Sequence, residues 1–358
     1  MQDTIIRQTF MKKLFLTLLL VPAMLAFAAE PVTYYDSAEG KSSDNLRYAL
    51  QSIIDGHIVV GYSSLYNLYR TTDNTADGKV WDMYSTCNFS HGNTCKSYSA
   101  VCDCYNREHS VPQSWFKEAS PMKSDAFHVY PTDGKVNNQR SNYQFGECAS
   151  GKTLSSQALG RLGKSTFPGY SSTVFEPVDE YKGDFARTYF YMATRYADKC
   201  TSWENSFGSV SGLTSYSVAL FLKWHRQDPV SQKEINRNDA VYTRQQNRNP
   251  FIDHPELAEY IWGTKKGQVW YKSSTPIDQV EVQWLSVSPN PAVDYLVVNA
   301  EVVDQMSYQI VDLSGKMLQS GSIDRGNQIS VTNLSNGIYL LKVEAASKTA
   351  IQKVIVNR

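Results

Sequence analysis

The chain has 358 residues, room for two or three domains and a sizeable core. Lysine plus arginine number 35 and aspartate plus glutamate number 35, which excludes a strongly basic or strongly acidic chain. Any affinity for a polyanion must then come from a local positive surface rather than from net charge.

Met11-Lys12-Lys13 opens a basic segment, Leu14 to Leu25 is apolar, and Ala26-Phe27-Ala28 has the small-x-small form of a cleavage site. Residues 1–28 therefore read as a secretory signal peptide, with Met11 as the natural start and cleavage after Ala28. The apolar run is too short to span a bilayer and no comparable run follows, so no membrane-spanning segment is expected in the mature chain.

Further along, the Leu46–Ile54 stretch has apolar residues at helical spacing, and Val80–Ser85 reads as a short strand. Residues 88–100 are polar and loop-like. The six cysteines, Cys87, Cys95, Cys102, Cys104, Cys148 and Cys200, are an even number in an exported chain, which points to disulfides. The spacing does not choose among their pairings; bridges bracing the approach to residues 105–109 and tying it to Cys148 are expected. Cys102-Asp103-Cys104 does not have zinc-site spacing.

The chemistry concentrates in Asn106-Arg107-Glu108-His109-Ser110-Val111-Pro112 and in residues 124–146. Neighbouring strand residues face opposite sides, so a strand carrying Glu108 and His109 should end there, consistent with Pro112. A second strand holds His128, a secondary site candidate. Thr132 or Asp133 can cap a helix starting near Gly134. Glu108 and Asn137 offer hard oxygen ligands suited to one Mg²⁺, with Mn²⁺ or Ca²⁺ as substitutes. His109 titrates near neutrality and can take a proton from water. Arg140, three residues after Asn137 on the same helix face, can contact a phosphate. A cation that polarises phosphate, beside a base that activates water, describes phosphodiester hydrolysis.

The region after this unit has a Gly/Ser-rich, loop-like stretch at 150–172 and helical stretches at 183–196, 215–225 and 231–242. The last starts with a capping box from Ser231 to Glu234. Residues 181–250 hold ten lysines and arginines against six acidic residues, a mild local excess. Glu176 and Asp184 read as fold support, and His254 as structural.

NREHSVPQSWF followed by DAFHVYPTDGKVNNQRSNYQFG resembles the bacterial endonuclease I family of ββα-metal (His-Me finger) nucleases. VFEPVDEYKGDFARTYFYMATRY and the block at 224–262 are similar to later parts of that family, so the likeness covers roughly residues 62–262. The resemblance implies Glu108 and Asn137 as Mg²⁺ ligands, His109 as general base and Arg140 as a phosphate contact. It also implies Asn142, Arg244 and Asn247 as substrate-binding residues. Where some relatives carry a longer Cys-containing insertion with a phosphate-holding arginine, this chain has a short connection offering Lys117 and Lys123.

Beyond Trp262 the composition changes. Residues 263–282 read as a polar linker. Residues 283–358 show alternating strands with Gly, Pro and Asn turns, the pattern of a small β-sandwich. Ser288-Pro289-Asn290-Pro291, VDLSGK, LSNGIYLLKV and the final KVIVNR resemble the C-terminal sorting domain of type IX secretion substrates, which implies the type IX secretion machinery as a partner. The expected fold is thus α+β: a ββα-metal nuclease domain over 29–262, then an all-β sandwich sorting domain. The expected activity is Mg²⁺-dependent hydrolysis of DNA, and of RNA as well, with little sequence specificity and 5′-phosphate ends. An RNA-preferring nuclease and a non-catalytic surface nucleic-acid-binding protein are the alternatives.

Overall fold

Leu46, Leu50 and Ile54 lie on one buried face of helix α1 (Ser43–Ile54), as their spacing requires. A computed structural model describes residues 30–208, 211–272, 285–300, 306–312, 316–324, 328–345 and 348–357. The expected signal peptide lies outside the described residues. Two compact units separate between Trp270 and Tyr271.

In the first unit, α2 (Leu65–Thr72) leads into irregular chain and then to β1 (Tyr105–His109). This strand pairs antiparallel with β2 (Val129–Asp133), placing Glu108 opposite Tyr130 and His109 opposite Val129. Helix α3 (Gly134–Arg140) follows directly, completing the expected β-β-α unit. A small sheet of β3 (Lys152–Thr153), β4 (Arg161–Lys164) and β5 (Thr173–Glu176) comes next. Helices α4 (Lys182–Arg195), α5 (Ser215–Gln227), α6 (Gln232–Gln245), α7 (Pro250–Asp253) and α8 (Leu257–Ile261) complete the unit. Every residue of α4 is buried, so this helix is the centre of the core. Its rings pack tightly: Tyr189 lies 4.4 Å from Phe221, and Phe190 stacks on Trp262 at 4.8 Å. The capping box from Ser231 to Glu234 is formed at the start of α6.

Several expectations give way here. Val80–Ser85 makes only isolated bridges, because Asp82 accepts a hydrogen bond from the Tyr84 amide at 2.7 Å and from the Ser85 hydroxyl. A side chain that satisfies its own neighbouring backbone competes with a strand ladder. The loop-like stretch at 150–172 contains β3 and β4. Its glycines hid the strands, yet they are what the packing needs: a Cβ on Gly163 would fall 2.8 Å from the Gly151 Cα. The first unit also runs beyond Trp262. Trp270 is fully buried, donates its amide to the Lys41 carbonyl at 2.8 Å and its indole N–H to Glu256 at 3.1 Å. Residues 263–270 therefore close the unit instead of leaving it.

In the second unit, β6 (Leu285–Ser288), β7 (Tyr295–Ala300) and β10 (Gln328–Ser330) form one sheet in the order β10-β7-β6. The other is β12-β11-β8-β9, from β8 (Met306–Val311), β9 (Met317–Ile323), β11 (Gly337–Ala345) and β12 (Lys348–Val356). Among the described residues the strand ladders of both sheets are antiparallel. Leu296, Val298 and Ile329 of one sheet share a core with Ile310, Leu341 and Val354 of the other, as in a sandwich. Among the described residues no helix is long and apolar enough to cross a membrane.

Candidate active site

Strand alternation sorts β1 into two working faces. Asn106 and Glu108 turn toward α3, while Arg107 and His109 turn toward Tyr62. The ladder ends at His109, where expected, and the Ser110 amide makes one further bond to the His128 carbonyl at 3.0 Å.

The α3 face is set by the start of that helix. Asp133, not Thr132, is the cap: one carboxylate oxygen accepts from the amides of Lys135 at 2.8 Å and Val136 at 2.9 Å. Its other oxygen accepts from the Cys102 amide at 2.6 Å, and the Gly134 amide donates to the Cys104 carbonyl at 2.9 Å. A Cβ on Gly134 would lie 2.5 Å from the Cys95 sulfur, so the helix starts pressed against the cysteine loop. Two disulfides, Cys87–Cys102 and Cys95–Cys104, hold that loop. Cys148 and Cys200 are buried free thiols, so the expected tie to Cys148 is absent. Cys148 sits instead between Gly151 and Gly163, with its amide bonded to Glu176. Cys87 and Cys102 approach Asp133, but the two sulfurs are bonded to each other and do not form a metal site.

Helix α3 then delivers two side chains to β1. Asn137 donates its side-chain N–H to the Asn106 side-chain oxygen at 2.7 Å, and its own side-chain oxygen Oδ1 has no partner among the described residues. Arg140 Nη1 lies 3.0 Å from Glu108 Oε1, and Tyr84 donates its hydroxyl to the same oxygen at 2.8 Å. No hydrogen bond reaches Glu108 Oε2 among the described residues. Burial pushes the Glu108 carboxyl up to about 7, although Arg140 and Tyr84 both pull it down. Asn137 and Glu108 thus each keep one oxygen fixed in place and uncommitted, a donor set that fits a hard divalent cation. Burial alone disfavours the charged carboxylate, and a cation bound there would reverse that preference.

On the other face, the His109 ring stacks on Tyr62 at 5.7 Å and lies 5.5 Å from His128. His109 Nε2 is 2.9 Å from the Lys123 carbonyl. A carbonyl only accepts, so Nε2 carries the proton and Nδ1 keeps a lone pair, with no partner among the described residues. Burial pushes the His109 imidazole down to about 3, helped by His128 and opposed by the Lys123 carbonyl. The ring is therefore neutral at ordinary pH. His128 is completely buried, its Nε2 2.6 Å from the Met122 carbonyl. It backs the His109 ring and is closed off from substrate.

The remaining candidates separate by exposure. Arg140 does not present the expected phosphate contact. Its side chain is 1% exposed, with Nη1 donating to the His109 carbonyl at 3.0 Å and Nη2 to the Ser110 carbonyl at 2.7 Å. It holds the strand end and the Glu108 carboxylate together. Asn247 is likewise interior, donating to Tyr191 at 2.8 Å and to the Ile54 carbonyl at 3.2 Å, so it supports the core instead of lining a groove. Asn142, just past α3, and Arg244, in the last turn of α6, are exposed. Lys117 is exposed, while Lys123 is paired with Glu118 at 2.5 Å. Glu176 binds Lys182 and Arg161, and Asp184 binds Lys233, the fold-supporting roles expected of them.

Sequence reasoning passed over Tyr84, Asn106 and Tyr62. Asn106 was accessible from alternation, being two residues before Glu108. Tyr84 and Tyr62 are two among 23 tyrosines, with nothing local to mark them.

The endonuclease I family profile matches residues 42–256, and a secretion system C-terminal sorting domain matches residues 286–357. An extracellular ribonuclease of Bacillus subtilis (strain 168) is 36% identical over 259 residues, 69% of this chain and 84% of the relative. An extracellular ribonuclease of Bacillus amyloliquefaciens is 36% identical over 249 residues, 67% of this chain and 81% of the relative. A periplasmic deoxyribonuclease of Aeromonas hydrophila is 29% identical over 138 residues, 38% of this chain and 50% of the relative. The chain is a secreted nuclease, and it belongs to the endonuclease I family.

Proposed function

We propose that the protein hydrolyses phosphodiester bonds in RNA and DNA with little sequence preference, leaving 5′-phosphate ends, at a site centred on Glu108 and His109. The observation that carries this reading is a shared arrangement on two adjacent residues. Each has one polar atom held by the protein and one left for substrate: Glu108 Oε1 is held by Tyr84, and His109 Nε2 by the Lys123 carbonyl.

The chemistry follows from those atoms. A phosphate lying across the end of β1 would meet His109 on one side and Glu108 with Asn137 on the other. Neutral His109 accepts a proton from water at Nδ1, making the attacking oxygen a stronger nucleophile. The pinned Nε2–H keeps the ring in the tautomer and orientation that this needs. Negative substrate charge beside the ring favours the protonated form as the proton arrives. Glu108 and Asn137 would hold a divalent cation, with Mg²⁺ the best match to an all-oxygen donor set, and it supplies Lewis acidity toward the phosphate oxygens. Arg140 keeps the Glu108 carboxylate aimed and favours its ionised form. His128 packs behind the base, and exposed Asn142 and Arg244 are outer substrate contacts.

An RNA-preferring enzyme is favoured by one observation: the relatives aligned over two thirds of the chain are named extracellular ribonucleases. Digesting single-stranded RNA and DNA of equal length side by side, then testing product ends with phosphatase and kinase labelling, decides both points. Comparable cutting with 5′-phosphate ends supports the proposal. Cutting of RNA alone moves the assignment to a ribonuclease, and 3′-phosphate ends mean that the 5′ oxygen leaves, which contradicts the proposed 3′-oxygen departure.

A further inference from the structure

We infer that Arg107 is a substrate-phosphate contact, on the same face of β1 as His109 and held ready by two tyrosine rings. The inference rests on the reading of Glu108 and His109 as the site of hydrolysis.

Arg107 is half-buried, with its guanidinium carbon 3.7 Å from the Tyr62 ring centre and 4.5 Å from that of Tyr66. Its Nη1 donates to the Tyr62 carbonyl at 2.9 Å, and Nε is buried without a partner. No carboxylate pairs with it among the described residues. That is unusual for this protein. The buried arginines Arg140, Arg187, Arg195, Arg237 and Arg248 each have a carboxylate oxygen within 3.0 Å, and buried Arg47 has Asp44 at 3.3 Å. Lys123, the other cation at Tyr62, is 5.5 Å from that ring and neutralised by Glu118.

A cation taken partly out of water without an anion is costly, and the protein has built a rigid mount for one. Tyrosine faces offset part of that cost through cation–π attraction, but they leave the charge uncompensated. The missing anion is best supplied by the substrate. Tyr62 makes the connection, since the same ring carries Arg107 and stacks on His109. A planar guanidinium held between rings loses little freedom on meeting a phosphate, so binding is helped by preorganisation. The contact exists before and during the reaction alike, so its loss should raise KM more than it lowers kcat.

The test uses the mature full-length protein and a single-stranded oligonucleotide. Arg107→Ala should raise KM about tenfold, the scale of one charge-assisted hydrogen bond, with kcat within about twofold. Binding of the oligonucleotide should be measured by fluorescence anisotropy in the His109→Ala background, with and without Arg107→Ala, across a salt series. Removing Arg107 should lower the slope of log Kd against log salt by about 0.7, one phosphate contact on a single strand. A merely structural arginine would lower the melting temperature and leave that slope unchanged. Unchanged slope, or unchanged KM, overturns the proposal while leaving the site intact. If the alanine variant does not fold, Arg107→Gln keeps the packed stem, removes the charge and is judged by the same criteria. Full activity in His109→Ala would instead overturn the underlying site, and this contact with it.

Discussion

The Arg140 guanidinium meets the Glu108 carboxylate at 3.0 Å with side chains only 1% and 3% exposed. The same guanidinium donates to the backbone carbonyls of His109 and Ser110. One residue of α3 therefore fixes both the position of the carboxylate and the path of the strand end that carries His109. A buried ion pair of this kind is weak evidence for stability, but breaking it from one side is costly.

Arg140→Ala should destabilise the protein by about 3–5 kcal/mol, the cost of leaving a buried carboxylate without its cation. Glu108, already raised to about 7 by burial, should rise further once Arg140 no longer pulls it down. The sign for activity follows. In the proposed reading the carboxylate form is the oxygen donor, so the acid limb of the activity profile should lie at higher pH in the variant than in the wild type. Denaturant unfolding and a pH–rate profile of the soluble variant check both parts.

The disulfides should matter to the site as well as to stability. Cys102 and Cys104 position Asp133 and Gly134, which start the helix carrying Asn137 and Arg140. Replacing Cys87 and Cys102 by serine removes a bridge of sequence separation 15. In the loop-entropy account that is about 3 kcal/mol, and activity should fall at temperatures where the variant is still folded. Cys200→Ser, at a free thiol, should leave the α3 start undisturbed. Melting curves with parallel activity assays under oxidising and reducing conditions separate the two effects.

A third expectation concerns pH and the end of the nuclease unit. His254 has Nε2 3.2 Å from Glu30 and Nδ1 3.7 Å from Glu256, which also holds Trp270. Burial alone would lower this imidazole, but the neighbouring carboxylates of Glu256 and Glu30 outweigh it and raise it to about 9. A folded value above the unfolded one means stabilisation that is complete below about 6.5 and lost as pH rises through about 9. The scale is on the order of 3 kcal/mol. Between pH 6 and 9.5 the wild type should lose more stability than His254→Gln; equal losses in the two proteins would contradict it.

Much of this was legible in the chain. The capping box of α6, the amphipathic face of α1 and the strand ending at Glu108-His109 depend on nearest neighbours, and local pattern found them. What pattern missed depends on distant partners. Arg140 reads as a surface helix residue until β1 is placed beside it. Asn247 looks like a groove residue until Tyr191, 56 positions away, claims its side chain. Trp270 reads as linker because only the pairing with Lys41 makes it core. The strands β3 and β4 were masked by glycines that close packing demands. Arg107 lay inside the motif itself, yet its uncompensated charge is visible only once the buried arginines have been paired.

The measurement that bears most directly on the central claim compares the mature protein with His109→Ala on supercoiled plasmid and on structured RNA. Each is run with Mg²⁺ and with EDTA, with folding of both proteins confirmed by circular dichroism. The account predicts cation-dependent cutting by the wild type and a loss of about a hundredfold or more in the variant, the scale of one general base. Undiminished cutting by His109→Ala would contradict it and place the chemistry elsewhere in the nuclease unit.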